Sequence, residues 1–75
     1  MKSKKEPKSF TGPLAARLRK ARENVGMSQG EVARRWKYHR VTITEIENGN
    51  RHVSAWELLK FSSEYLVDPV WLLHG

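Results

Sequence analysis

Two stretches of this chain, Ser28 to Lys37 and Arg40 to Asn48, carry apolar residues at helical spacing and are separated by a turn of two or three residues. Val32, Ala33 and Trp36 share one side of the first, and Ile43 and Ile46 share one side of the second. So short a connection forces the two segments to be neighbours, packed across a common apolar face. Ala33 matters at that contact, because a small side chain lets steeply crossing helices approach closely. Ser28-Gln29-Gly30-Glu31 has the spacing of a capping box and starts the first segment, while Gly49 stops the second.

The flanking sequence reads as further helices. Leu14, Leu18, Ala21 and Val25 recur at three- and four-residue spacing, with Arg17, Arg19, Lys20 and Arg22 largely between them, which predicts an amphipathic helix opened by Pro13 and closed by Gly26. A second capping box, Ser54-Ala55-Trp56-Glu57, opens a helix with Leu58, Phe61, Ser62 and Tyr65 on one face, and Asp68-Pro69 opens a short last one. No segment alternates like a strand. The expected fold is all-α, five compact helices around one core over residues 11–75, preceded by a flexible basic N-terminal arm over residues 1–10.

At 75 residues the chain is one small domain, and without cysteine neither a disulfide framework nor a thiolate zinc site can staple it. That composition suits a reducing cytoplasm. No stretch approaches the roughly 20 apolar residues of a membrane span, and the basic N-terminus lacks the apolar core of a signal peptide. Lys and Arg number 14 against 8 Asp and Glu, a net charge of +6 that points toward a polyanionic partner.

The paired segments have the geometry of a helix-turn-helix, which leaves the outer face of its second helix free. Arg40, Val41, Thr44 and Glu45 occupy that face, and a major groove about 12 Å wide admits such a helix. Arg40 can present its guanidinium fork to guanine O6 and N7, Val41 can touch a thymine methyl, and Glu45 can accept from cytosine N4. Gln29 stands at a helix N-terminus, where side chain and unsatisfied N–H groups could act on one phosphate.

Leu18-Arg19 with Arg22, Met27-Ser28-Gln29 with Glu31, Val32 and Ala33, and Ile43 with Ile46-Glu47-Asn48-Gly49 together resemble the lambda-repressor-like family of Cro and CI-type (Xre) regulators. The likeness runs from Leu14 to Gly75 and closes on Asp68-Pro69-Val70-Trp71-Leu72-Leu73-His74-Gly75, similar to the last helix of phage repressor headpieces. The resemblance implies a repressor that binds double-stranded DNA as a homodimer at a near-palindromic operator, on the nucleoid in the cytoplasm. It places base reading at Arg40, Val41 and Glu45, with Thr44 beside them, and phosphate contacts at Gln29, Thr42 and the Asn48, Asn50 and Arg51 loop. It also makes Arg22 and Glu47 a structural ion pair between the first and third helices.

Three departures stand out against that family. Lys37 occupies a position commonly held by glycine, so it must adopt a left-handed conformation at about 1–2 kcal/mol or reshape the turn. His39 stands where serine or threonine usually caps the third helix. Leu66 replaces the usual glycine after the fourth, a corner expected to pack an extra apolar residue.

Trp36 belongs to the core rather than to a base-stacking platform. Trp56, Trp71, Leu72 and Leu73 form an apolar surplus that suggests a self-association surface, with core closure as the competing reading. His39, His52 and His74 are too scattered for a metal site; His39 or His52 touches phosphate or nothing. Lys2, Lys4, Lys5 and Lys8 are either a solvated tail or an arm adding salt-sensitive affinity for the duplex. The competing function is an antitoxin-like or adaptor module whose apolar surface takes a protein partner. No Ser/His/Asp set, carboxylate pair in an apolar setting or phosphate-cradling glycine loop indicates an enzyme, and no cofactor is expected.

Overall fold

The computed structural model describes the backbone of residues 5–75 and the side chains of residues 13–75. Among the described residues five helices follow in order: α1 (Lys5–Asn24), α2 (Gln29–Trp36), α3 (Arg40–Glu47), α4 (Ala55–Tyr65) and α5 (Pro69–His74). Helix α1 packs against α3, α4 and α5, while α2 lies mainly on α3.

Helices α2, α4 and α5 start where a side chain satisfies an orphan amide. Ser28 Oγ accepts the Glu31 N–H at 3.0 Å and Glu31 Oε1 accepts the Ser28 N–H at 2.8 Å, a complete capping box at α2. Ser54 and Glu57 repeat it at α4, at 3.1 and 3.0 Å. Asp68 accepts the Val70 N–H at 2.8 Å with Pro69 in the first turn of α5. Helix α3 is the exception: His39 is extended and makes no side-chain cap.

Helices α1 to α4 end on one pattern. A left-handed residue, at Gly26, Lys37, Gly49 and Leu66, turns the chain so that the next N–H reaches back five residues. Met27 thereby donates to the Arg22 carbonyl, Tyr38 to Ala33, Asn50 to Glu45 and Val67 to Ser62, at 2.9 to 3.2 Å. Of the two outcomes open to Lys37, the chain takes the left-handed one, φ 58°.

The core is Leu14, Leu18 and Ala21 of α1, Val32, Ala33 and Trp36 of α2, Ile43 and Ile46 of α3, Phe61 and Tyr65 of α4, and Leu72 of α5. Trp36, Phe61 and Tyr65 form a chain of rings, with centroids 4.4 and 5.5 Å apart. Arg17 Nη1 donates to the Leu72 carbonyl at 3.0 Å and ties the end of α5 to α1.

Four expectations change. Helix α1 begins at Lys5 rather than Pro13, so the segment read as an arm contributes residues 5–10 to it and Pro13 lies inside the helix. Proline's fixed φ near −65° is helical, and an interior position costs a missing N–H and crowding of the ring against the carbonyl four residues back. Val25 falls beyond α1 and is exposed, because the helix has already turned at its end; Ala15 is buried instead. Leu66 is 84% exposed, since the left-handed turn throws its side chain outward. Leu72, expected on the self-association surface, is fully buried and belongs to the core, with Trp71 packed partly against it.

Candidate nucleic-acid interface

Helix α3 divides sharply between two faces. Ile43, Ile46 and Glu47 are buried, whereas Arg40 and Val41 are exposed and Thr44 and Glu45 half-exposed on the opposite side. The steps of one, three and four residues between the latter put all four on one outward stripe. Val41, 61% exposed, is an apolar side chain that the fold leaves in water.

The orientation of this stripe is fixed from behind by a buried charge. Arg22 donates to both oxygens of Glu47, Nε to Oε2 at 2.6 Å and Nη2 to Oε1 at 3.0 Å, and its Nη1 donates to the Met27 carbonyl at 2.7 Å. One guanidinium therefore joins α1, the α1–α2 turn and α3. Its hydrogen bonds to Glu47 raise the Arg22 pKa, outweighing the burial that would lower it. Gln29, the first residue of α2, extends the network: its Nε2 donates to Glu47 Oε1 at 3.0 Å, and its Oε1 accepts the Thr44 hydroxyl at 3.0 Å.

A second clamp holds the turns on either side of α3. Glu57 accepts the Tyr38 hydroxyl at 2.5 Å, both terminal nitrogens of Arg51 at 3.2 and 3.1 Å, and the Ser54 N–H at 3.0 Å. Burial alone would raise its pKa, but the bonds from Arg51, Tyr38 and Ser54 reverse this and bring it down to about 2. The hydroxyl of Tyr38 is pushed the other way, chiefly by its bond to Glu57. Tyr38 lies between α2 and α3, and Arg51 between α3 and α4, so a single carboxylate joins both connections to the start of α4.

The residues assigned to phosphate contact differ in what they offer. His39, Asn48 and Asn50 are exposed around the two ends of α3, and Thr42 is half-buried. Gln29 spends its amide on Glu47 and Thr44, and Arg51 spends both terminal nitrogens on Glu57. Lys2 and Lys4 lie outside the described residues, as do the side chains of Lys5 and Lys8. In the sequence the capping box marks Glu57, but nothing local marks Tyr38 and Arg51 as its other partners.

Trp56 (68% exposed) and Leu59 stand out from α4, and Val70 and Leu73 from α5, while Trp71 is half-buried. No helix of the described residues is long and apolar enough to cross a membrane.

The sequence profile of the helix-turn-helix domain family matches residues 13–70. The crystal structure of the DNA-binding domain of BldD is similar to this fold with a TM-score of 0.77 and 26% identity, covering 88% of this chain and 96% of that one. The restriction-modification controller protein C.AhdI from Aeromonas hydrophila is similar with a TM-score of 0.75 and 28% identity, over 85% of this chain and 97% of that one. No curated protein gives a significant match.

Proposed function

This chain belongs to the helix-turn-helix family of DNA-binding regulators, of the lambda-repressor-like Xre type, and from that premise we propose that it controls transcription by binding a specific operator as a homodimer. The observation that carries the reading is the outward stripe of Arg40, Val41, Thr44 and Glu45 on a helix whose rear face is locked by Arg22, Glu47 and Gln29. A helix so held can present base-specific groups without first ordering itself, and each good bidentate pair discriminates by about 1–3 kcal/mol.

Arg40 reads a guanine edge, Val41 a thymine methyl and Glu45 a cytosine amino group. His39, Thr42, Asn48 and Asn50 meet phosphates along the groove. Gln29 and Arg51 act mainly by positioning, since their polar atoms are already engaged. The lysines of residues 1–10 add salt-sensitive affinity that is blind to sequence. The protein works in the cytoplasm, on the nucleoid.

A second copy of the chain is the partner for Trp56, Leu59, Val70 and Leu73. Their three-residue spacing within α4 and within α5 makes an apolar stripe on each of two helices in contact. A dimer built this way puts two copies of α3 on successive turns of one DNA face, with half-sites roughly 34–36 Å apart. Repression follows from occupying a promoter.

Selection from a random pool of double-stranded DNA at near-physiological salt tests this reading. Enrichment of two inverted half-sites about one helical turn apart supports it. A single unpaired half-site would contradict the dimer, and no motif at all would favour an antitoxin-like module that uses the same apolar surface for a protein partner.

A further inference from the structure

We propose that Thr44 meets the operator as a hydrogen-bond acceptor only, so that it selects a base pair placing an exocyclic amino group, adenine N6 or cytosine N4, against its hydroxyl. The inference rests on α3 being the base-reading helix and adds the polarity of one contact on it.

Threonine in a major groove ordinarily reads either polarity, because its hydroxyl rotates to donate or accept as required. Here a chain of fixed partners removes that freedom. It starts at Glu47, buried and doubly bonded to Arg22, whose carboxylate can only accept. The Gln29 group lying 3.0 Å from Glu47 Oε1 must therefore be the amide NH2, since a carbonyl there would face another acceptor. With the amide so oriented, the atom facing Thr44 at 3.0 Å is the Gln29 carbonyl oxygen, which also can only accept. The Thr44 hydroxyl has to donate to it.

Among the described residues one other internal partner is in reach, the Arg40 carbonyl at 3.2 Å, and it too accepts. Whichever of the two takes the proton, the single hydroxyl hydrogen is held inside the protein. Thr44 is half-exposed on the stripe with Arg40, Val41 and Glu45, so what it turns toward DNA is a lone pair. Adenine N6 and cytosine N4 can donate to it, whereas guanine O6 and thymine O4 would oppose it with their own lone pairs. Gln29 is then a positioning residue: it carries the polarity of a buried ion pair out to the reading surface.

Every base pair shows one amino and one keto group in the major groove, so a base-preference profile alone locates the contact without giving its polarity. The experiment uses the full chain and two variants, Thr44→Val and Thr44→Ser, first in selection and then on operators carrying altered bases at the pair where Thr44→Val differs from wild type. Purine in place of adenine, or 2-pyrimidinone in place of cytosine, deletes the amino group; 2-aminopurine in place of guanine, or 5-methyl-2-pyrimidinone in place of thymine, deletes the keto oxygen. Wild type and Thr44→Ser should lose affinity about three- to tenfold on deletion of the amino group, beyond the loss seen for Thr44→Val. Deleting the keto oxygen should leave the gap between wild type and Thr44→Val in place. A gap that survives loss of the amino group overturns the inference, whether it then closes on loss of the keto oxygen or persists through donation to a purine N7, as does a Thr44→Val profile identical to wild type. Absence of any motif for the wild-type protein would overturn the DNA-reading assignment itself and this inference with it.

Discussion

Arg22 and Glu47 lie twenty-five positions apart in the chain and are joined by two hydrogen bonds of 2.6 and 3.0 Å, both side chains being almost wholly withdrawn from solvent. The pair couples the first helix to the rear of the third, and through Gln29 it reaches Thr44 on the outward face. Removing one member strands a buried charge. Arg22→Ala should therefore lower stability by about 3–5 kcal/mol in urea unfolding. Replacing both, as Arg22→Met with Glu47→Leu, should recover most of that loss while leaving Gln29 without its carboxylate, so the double variant should fold yet bind its operator more weakly. A double variant as unstable as the single one would show that the pair is required for folding itself.

Glu57 gives the fold an acid-sensitive joint. Its pKa is about 2 in the folded chain against 4.5 when unperturbed, so the unfolded state binds the proton more readily. The stabilisation is complete above pH 4.5 and is lost as the pH falls toward 2. It amounts to about 3 kcal/mol for a shift of this size. Glu57→Gln should be less stable than wild type at neutral pH, and the difference should shrink steadily from pH 4.5 downward. A gap independent of pH in unfolding titrations would assign the loss to packing instead.

Lys37 and Leu66 hold φ 58° at positions where two other helices use glycine. Each non-glycine residue there costs about 1–2 kcal/mol, partly offset in a glycine variant by the greater entropy of its unfolded chain. Lys37→Gly and Leu66→Gly should each raise stability by about 0.5–1 kcal/mol and act additively, because the two corners terminate different helices. Loss of stability in thermal unfolding would mean that these side chains make contributions beyond their backbone.

What was legible in the sequence is what depends on neighbours three or four residues apart. The capping boxes of Ser28 with Glu31 and of Ser54 with Glu57, the stripe from Leu14 to Ala21, and the opposed faces of α3 all have that range. Resemblance supplied the pairing of Arg22 with Glu47, which spacing alone does not reveal. What was not legible depends on distant partners. Leu72 and Leu73 are adjacent and equally apolar, and only the position of α5 against α1 decides that Leu72 enters the core. Gln29 reads as a phosphate contact at a helix N-terminus until α3 is brought behind it and takes up its amide. Tyr38, Arg51 and Glu57 meet only after two turns have folded.

Trp56 is 68% exposed on α4. Trp56→Glu should leave unfolding within about 0.5 kcal/mol of wild type and shift sedimentation toward the monomer. Weaker cooperative binding to a paired operator should accompany the shift. An unchanged sedimentation profile would contradict the proposed role of this face in self-association.

The outward stripe of α3 is tested most directly by the base-preference profile of Arg40→Ala beside that of the wild type, both taken by selection from random DNA at one salt concentration. Arg40 stands clear of the core, so the variant should keep its fold and lose discrimination at a single position by about fivefold to a hundredfold, with the remaining positions unchanged. A profile identical to wild type, or one weakened evenly at every position, would contradict base reading by this face of α3.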